Sequence, residues 1–259
     1  MNLRSAAVVL AVATVLGACS ASESAEPRAT PEPRPTAPVR TVDGEPLLTC
    51  GGHEFPVSAM VDGIESRTPA ADIVNALDGL VRSAGMDAPL GLSKDGVRPG
   101  EWKVLAEDAD SLLVATGRWD ERGPGERAHR VGLEKQGDRL RVAGWGDCQP
   151  RPVPVDAVAW AMVTASAADL DPDAVSVPVR VTEQECTSSR DPEAHLHEPV
   201  VVETDRTVTV YWTTEVVTGP QKCPGNPLAD RIIELDEPLG DRTVLDGSTW
   251  PAIPVTQRF

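Results

Sequence analysis

Five cysteines, at 19, 50, 148, 186 and 223, constrain this chain more than any other feature. An odd number cannot pair completely, so one thiol has a different task or a different partner. Cys19 is set apart by position. It ends an apolar run, Ala6 to Leu16, that carries no ionised side chain and is preceded by Arg4 alone. That layout is an export signal. A membrane-spanning helix needs about 20 apolar residues, and here Ser20 and Glu23 arrive too early for one.

Leu16, Gly17, Ala18 and Cys19 resemble a bacterial lipobox. The resemblance implies cleavage after residue 18, a diacylglyceryl group on the Cys19 thiol and a further acyl chain such as palmitate. Residues 1–18 are then a lipoprotein signal peptide and Cys19 begins the mature chain. The expected location is the extracytoplasmic face of the cell membrane, where the remaining four thiols can all be oxidised. Residues 19–44 contain Pro27, Pro31, Pro33, Pro35 and Pro38 among Ala, Thr, Glu and Arg. Too little apolar surface is present to fold, so this stretch reads as a disordered tether, extending about 3.1 Å per residue to roughly 70 Å.

Beyond the arm two domains are expected, 45–152 and 153–259, of a mainly β or α+β class. In the first, Thr68 is placed to cap a helix, Pro69 suits its first position and Gly85 suits its end. Ile73, Leu77, Leu80 and Ala84 share one face of that helix. Strands follow at 102–107, 111–117, 131–135 and 139–144, with turns at 108–110 and 136–138. The reading is one helix on an antiparallel sheet. The second domain shows period two in Val175, Val177, Val179 and Val181 and in Val208, Val210 and Trp212, which points to a small β-sandwich-like fold. Pro178 suggests an edge strand, because proline donates no ladder bond. Residues 155–170 are ambiguous between helix and strand. Four thiols allow three connectivities, and only Cys50 with Cys148 and Cys186 with Cys223 keeps each crosslink inside one proposed domain.

The segments "CGGHEFPVSAM", "GWGDCQPRPV", "VTEQEC" and "ELDEPLGDRTVLDG" are similar to stretches of actinobacterial lipoproteins of unassigned function. That resemblance bears on placement and crosslinks and implies no activity. The excess of arginine over lysine and the abundance of Ala, Val, Pro, Gly and Asp agree with a high-GC source.

A formal charge of −16 repels phosphate backbones and anionic headgroups, so nucleic acid and direct adhesion to lipid surfaces are disfavoured. The motifs G-x-S-x-G, S-x-x-K, H-E-x-x-H, C-x-x-C and the P-loop are absent, which excludes the families that use them. His195 and His197, with Glu193 and Glu198, are the best metal candidates, but zinc usually takes three or more protein ligands, and a solvated loop explains them. His53 beside Glu54 suggests proton transfer, though a packed histidine near Cys50 is the simpler account. Asp236, Glu237, Asp241 and Asp246 offer oxygens for calcium without EF-hand spacing, and read as a turn. Six tryptophans are the main large hydrophobes, of which Trp119 and Trp250 are the expected exposed contacts. No catalytic, metal or cofactor site is assigned. The expected function is a non-catalytic, lipid-anchored envelope protein that binds a partner protein or surface polymer; the alternative is an exported hydrolase with dispersed catalytic residues.

Overall fold

The computed structural model describes residues 35–125, 128–137 and 139–256. The expected signal peptide, Cys19 and most of the expected tether lie outside the described residues, as does Asp138 of the second turn. The chain is mainly β. Arg34–Phe259 forms one compact unit, so the two expected domains are lobes of a single body.

The first strands begin inside the stretch expected to be tether. β1 (Thr41–Val42) and β2 (Glu45–Cys50) are joined by Asp43 and Gly44, both at positive φ, and β2 and β3 (His53–Pro56) by Gly51 and Gly52, also at positive φ. Asp-Gly and Gly-Gly are the two-residue loops whose left-handed backbone matches strand twist. Val39 also bridges to Pro154, and the Arg40 amide donates to the Val153 carbonyl at 2.8 Å. Pairing of 38–44 with the body therefore takes these residues out of the expected tether.

A short helix, α1 (Val57–Asp62), precedes the main helix, α2 (Ala70–Ala84). Pro69 occupies the cap position without a side-chain bond, and Gly85 ends the helix at positive φ. Thr68 does not cap it. Its hydroxyl donates instead to the Glu107 carboxylate at 2.9 Å, which also takes Ser66 Oγ, the Arg67 amide and Lys135 Nζ. Burial pushes the Glu107 carboxyl up, but these four donors outweigh burial and hold its pKa at about 2.

β4 (Trp102–Glu107), β5 (Ser111–Thr116), β8 (His129–Gln136) and β9 (Arg139–Gly146) form the antiparallel sheet under α2, with a small hairpin of β6 (Trp119–Asp120) and β7 (Gly123–Pro124) between them. Ile73, Leu77, Leu80 and Val81 of α2 pack on Val104, Leu112, Val114, Val131 and Leu133. The opposite face is covered too: Leu105, Leu113 and Ala115 meet Leu48, Phe55, Met60 and Trp119. Burial on both faces explains why Leu112 to Ala115 is apolar without alternation. Each large side chain removed from water here contributes about 1.5–3 kcal/mol.

β10 (Arg151–Pro152) returns to pair with β2, matching Arg151 to Thr49 and Pro152 to Leu48. The second lobe is one seven-stranded sheet built from β11 (Val158–Thr164), β12 (Ser176–Glu183), β13 (Val200–Glu203), β14 (Thr207–Glu215), β15 (Leu228–Glu234), β16 (Thr243–Asp246) and β17 (Ile253–Pro254). The ambiguous 155–170 stretch is thus a strand at its centre. β14 changes partner along its length, meeting β16 in parallel at 207–210 and β11 antiparallel at 212–215. The sheet wraps a single core in which Val177, Val179, Val181, Val208, Val210 and Trp212 supply the inward positions that period two requires. Gly247 lies so close to β14 that a Cβ there would stand 2.5 Å from the Tyr211 ring.

Pro178 is not on an edge strand, since β12 lies between β11 and β15. It is tolerated because β11 pairs only with residues 180–183, leaving Pro178 flanked on one side by Ile232 alone.

Candidate functional site

The two lobes meet through backbone. Pro38, Val39 and Arg40 bond Pro154, Val155 and Val153, the Trp250 amide donates to the Pro150 carbonyl at 2.9 Å, and Gln149 Nε2 donates to the Trp250 carbonyl at 2.9 Å. The Trp250 indole then reaches the Glu121 carbonyl at 3.0 Å. Along this junction run two adjoining hollows that share Thr49, Arg151 and Glu185, and so form one groove.

One end of the groove, about 330 Å³, is polar. The end of β2 and its Gly51–Gly52 turn form one wall, and Asp147 and Cys148, just after β9, form another. Arg130 of β8 lies on the face opposite His129 and Val131, with its guanidinium against the turn. A Cβ on Gly51 would come within 2.9 Å of Arg130 Nη1, the end of a flexible side chain, and the positive φ of Gly51 is what favours glycine in this turn. Among the described residues, half-buried Arg130 makes no side-chain hydrogen bond or ion pair. Arg151 is the second cation, bonded to Glu185 at 3.0 Å across the lobes. Asp147 is 95% exposed and its Oδ1 lies 3.2 Å from His129 Nε2.

The other end, about 470 Å³, is walled by Pro152, Pro154, Val158, Trp160, Val216 and Val217. Val216, 51% exposed, belongs to the Gly/Pro-rich 216–227 loop. Cys223 crosslinks that loop to Cys186, while Ser188, Ser189 and Thr187 bond Gln221, Gly225 and Asn226.

Cys50 is joined to Cys148 and Cys186 to Cys223, the pairing expected from the sequence, with Cα separations of 6.1 and 4.7 Å. Three of these residues, Cys50, Cys148 and Cys186, line the groove. Cys19 lies outside the described residues.

The histidines go to separate partners. His195 Nδ1 is 2.8 Å from Glu215 Oε2 and His197 Nδ1 is 3.0 Å from Thr213 Oγ1, both along β14, while Glu193 binds Arg231 at 2.7 Å. His53 lies 3.9 Å from Asp108, and Glu54 binds Arg40. Among the described residues no three His, Cys, Asp or Glu side chains are grouped to hold a metal ion. The carboxylates of 236–246 also separate. Arg242 braces the turn through Glu203 and the carbonyls of Glu237, Pro238 and Leu239, whereas Asp246 is buried beside Ser248 and Gln184. The expectation that Trp119 is an exposed contact is corrected: it is 3% exposed and its indole donates to the Thr116 carbonyl. Trp250 packs partly buried against the same cluster, and the exposed indole is Trp145, at 41%.

Asp246 accepts from the Ser248 amide at 3.0 Å and from Ser248 Oγ at 2.9 Å, and Gln184 Nε2 donates to that hydroxyl. Both Asp246 and Ser248 are fully buried. Burial, only partly offset by the Ser248 bonds, raises the Asp246 pKa to about 6. Between its ordinary value near 4 and 6 the folded chain binds this proton more tightly than the unfolded chain, so this term falls as pH rises. Its full size is about 3 kcal/mol. Asp246→Asn removes it: in urea melts, the variant's stability relative to the parent rises by about that amount from pH 4 to pH 7. Parallel profiles for the two proteins would show that the carboxyl ionises without cost.

The chain matches no family model, and no curated protein or solved structure shows detectable similarity to it. Arg130, Arg151, Glu185 and Val216 were not among the sequence candidates. The only local hint was the expected domain boundary at 152/153, which falls beside Arg151 in the Pro-rich stretch Gln149–Val155.

Proposed function

We propose that this protein is a lipid-anchored, non-catalytic envelope protein that uses the junction groove to bind a partner on the outer face of the cell membrane, held there through Cys19 and similar in kind to the actinobacterial lipoproteins. The observation that carries the reading is the concentration of crosslinks in the groove walls. A binding surface gains affinity when its walls are fixed before the partner arrives, because less ordering remains to be done. Here both disulfides border one groove, and residues from 49 to 221 converge on it.

A photo-crosslinking amino acid at position 216, in the groove wall, tests this in intact cells. A matched chain carries it at position 86, where Met86 is 91% exposed and does not line the groove. The expected result is a discrete adduct from position 216 alone, lost when Cys19→Ala releases the protein from the membrane fraction. Equal adducts from both positions, or none from 216, would reject the groove as the working surface.

A further inference from the structure

The groove has two chemically different compartments, and together they select one kind of occupant. We infer that it takes the carboxyl-terminal end of an extended peptide, with the terminal carboxylate beside Arg130 and Arg151 and the preceding apolar side chains on the Pro152, Pro154, Val158 and Val216 wall. This rests on the groove being the binding surface.

Arg130 supplies the first argument. The body is strongly acidic, yet this half-buried guanidinium faces a concave polar hollow and has no carboxylate partner among the described residues. Its guanidinium lies against Gly51 of the turn. A guanidinium offers donors in a planar fork that matches a carboxylate. Arg151 stands in the same hollow, held by the half-exposed Glu185 at 3.0 Å. An incoming carboxylate can share or replace that acceptor, and a solvent-exposed pair of this kind is worth about 1 kcal/mol or less, so little opposes the exchange.

The adjoining compartment supplies the second argument. Prolines and valines offer apolar contact with no aromatic plate, since Trp160 is buried and its indole donates to the Pro152 carbonyl. Sugar rings are gripped by exposed aromatic faces, and the exposed Trp145 does not line the groove. Aliphatic side chains of a peptide fit such a wall.

The test is titration calorimetry of the purified full chain with the tetrapeptide Ala-Val-Ala-Val, as its free acid and as its carboxyl-terminal amide, and with a galacturonate trimer. The free acid is expected to bind about tenfold tighter than the amide, the effect of a charge-assisted hydrogen bond. Arg130→Gln should bring the acid down to the amide's affinity without shifting the melting temperature, while Arg82→Gln on the exposed face of α2 should change nothing. Comparison of acid with amide needs no variant and so survives any folding defect in Arg130→Gln. Equal affinity of acid and amide overturns the carboxylate subsite. Binding of the trimer without the peptides overturns the peptide assignment in favour of a sugar acid. If no probe binds while position 216 still crosslinks in cells, this inference fails and the groove remains the binding surface. Loss of the position-specific crosslink is the separate result that removes the groove itself.

Discussion

Replacing Cys50 and Cys148 together by serine is expected to lower stability by about 5 kcal/mol, and replacing Cys186 and Cys223 by about 4 kcal/mol. The first crosslink closes 98 residues and the second 37, and the unfolded chain loses more freedom in the longer loop. Either loss is a large part of the roughly 5–15 kcal/mol that holds a domain together. The two differ in what loosens. Cys148 enters the bond just before Arg151 and Pro152 pair with Thr49 and Leu48, so removing the first staple frees the only described strand pairing that closes β2 onto the end of the first lobe. Removing the second leaves the 216–227 loop with its bonds from Thr187, Ser188 and Ser189. Urea denaturation of both double variants measures the ranking, and proteolysis at the 216–227 loop separates local from global loosening. Midpoints equal to the parent's would show that neither crosslink constrains the unfolded chain.

Local chemistry made much of the first lobe legible. Trp102 to Glu107 and Ser111 to Thr116 are strands because their apolar residues are bounded by Gly100, the Asp108–Asp110 turn and Gly117. The helix face of Ile73, Leu77 and Leu80 follows from spacing, with Ala84 only partly buried. What the sequence hid has physical causes. In "VAWAMVT" every residue from Val158 to Val163 is apolar, so neither period two nor period 3.6 stands out, and β11 emerges only because β12 and β14 flank it. Trp119 sits among Gly and Arg, which suggests exposure, yet the β6–β7 hairpin folds it under. Residues 39–44 look like linker because prolines precede them, and their pairing partners lie at 45–46 and 153–154. The groove was the least legible part. Arg130, Arg151, Glu185 and Val216 share no repeat or motif, and only the return of β10 to β2 brings their segments to one junction.

The same junction leans on one buried charge, and Arg190→Met exposes its cost. Glu183 at the end of β12 has a fully buried side chain, and Arg190 covers it with Nε at 3.0 Å and a second bond from Nη2 at 2.5 Å, while Thr214 Oγ1 donates at 2.8 Å. Arg190 also donates to the Glu215 carbonyl at 2.7 Å, tying the 184–199 loop to β14 beside the groove. Burial pushes the Glu183 carboxyl up, and Arg190 with Thr214 overcomes this and holds it below the ordinary range. The stability it contributes is present above the ordinary carboxylate pKa and is lost as pH falls through the lowered folded value. Arg190→Met leaves that carboxylate buried with one hydroxyl, at an expected cost of about 3–5 kcal/mol at pH 7. The orphaned carboxyl then takes up a proton more readily than in the parent, so the deficit should shrink as pH falls towards 4. Glu183→Leu combined with Arg190→Met should recover most of the loss, because a buried pair replaced by apolar side chains of similar volume is often no less stable. Urea melts of the single and double variants at pH 7 and pH 4 measure both effects. A single variant as stable as the parent, or a double variant worse than the single, would mean that Glu183 stays ionised with solvent access, and that the loop is held to β14 by the backbone bonds of His195 and His197 to Glu215 and Thr213 rather than by this charge.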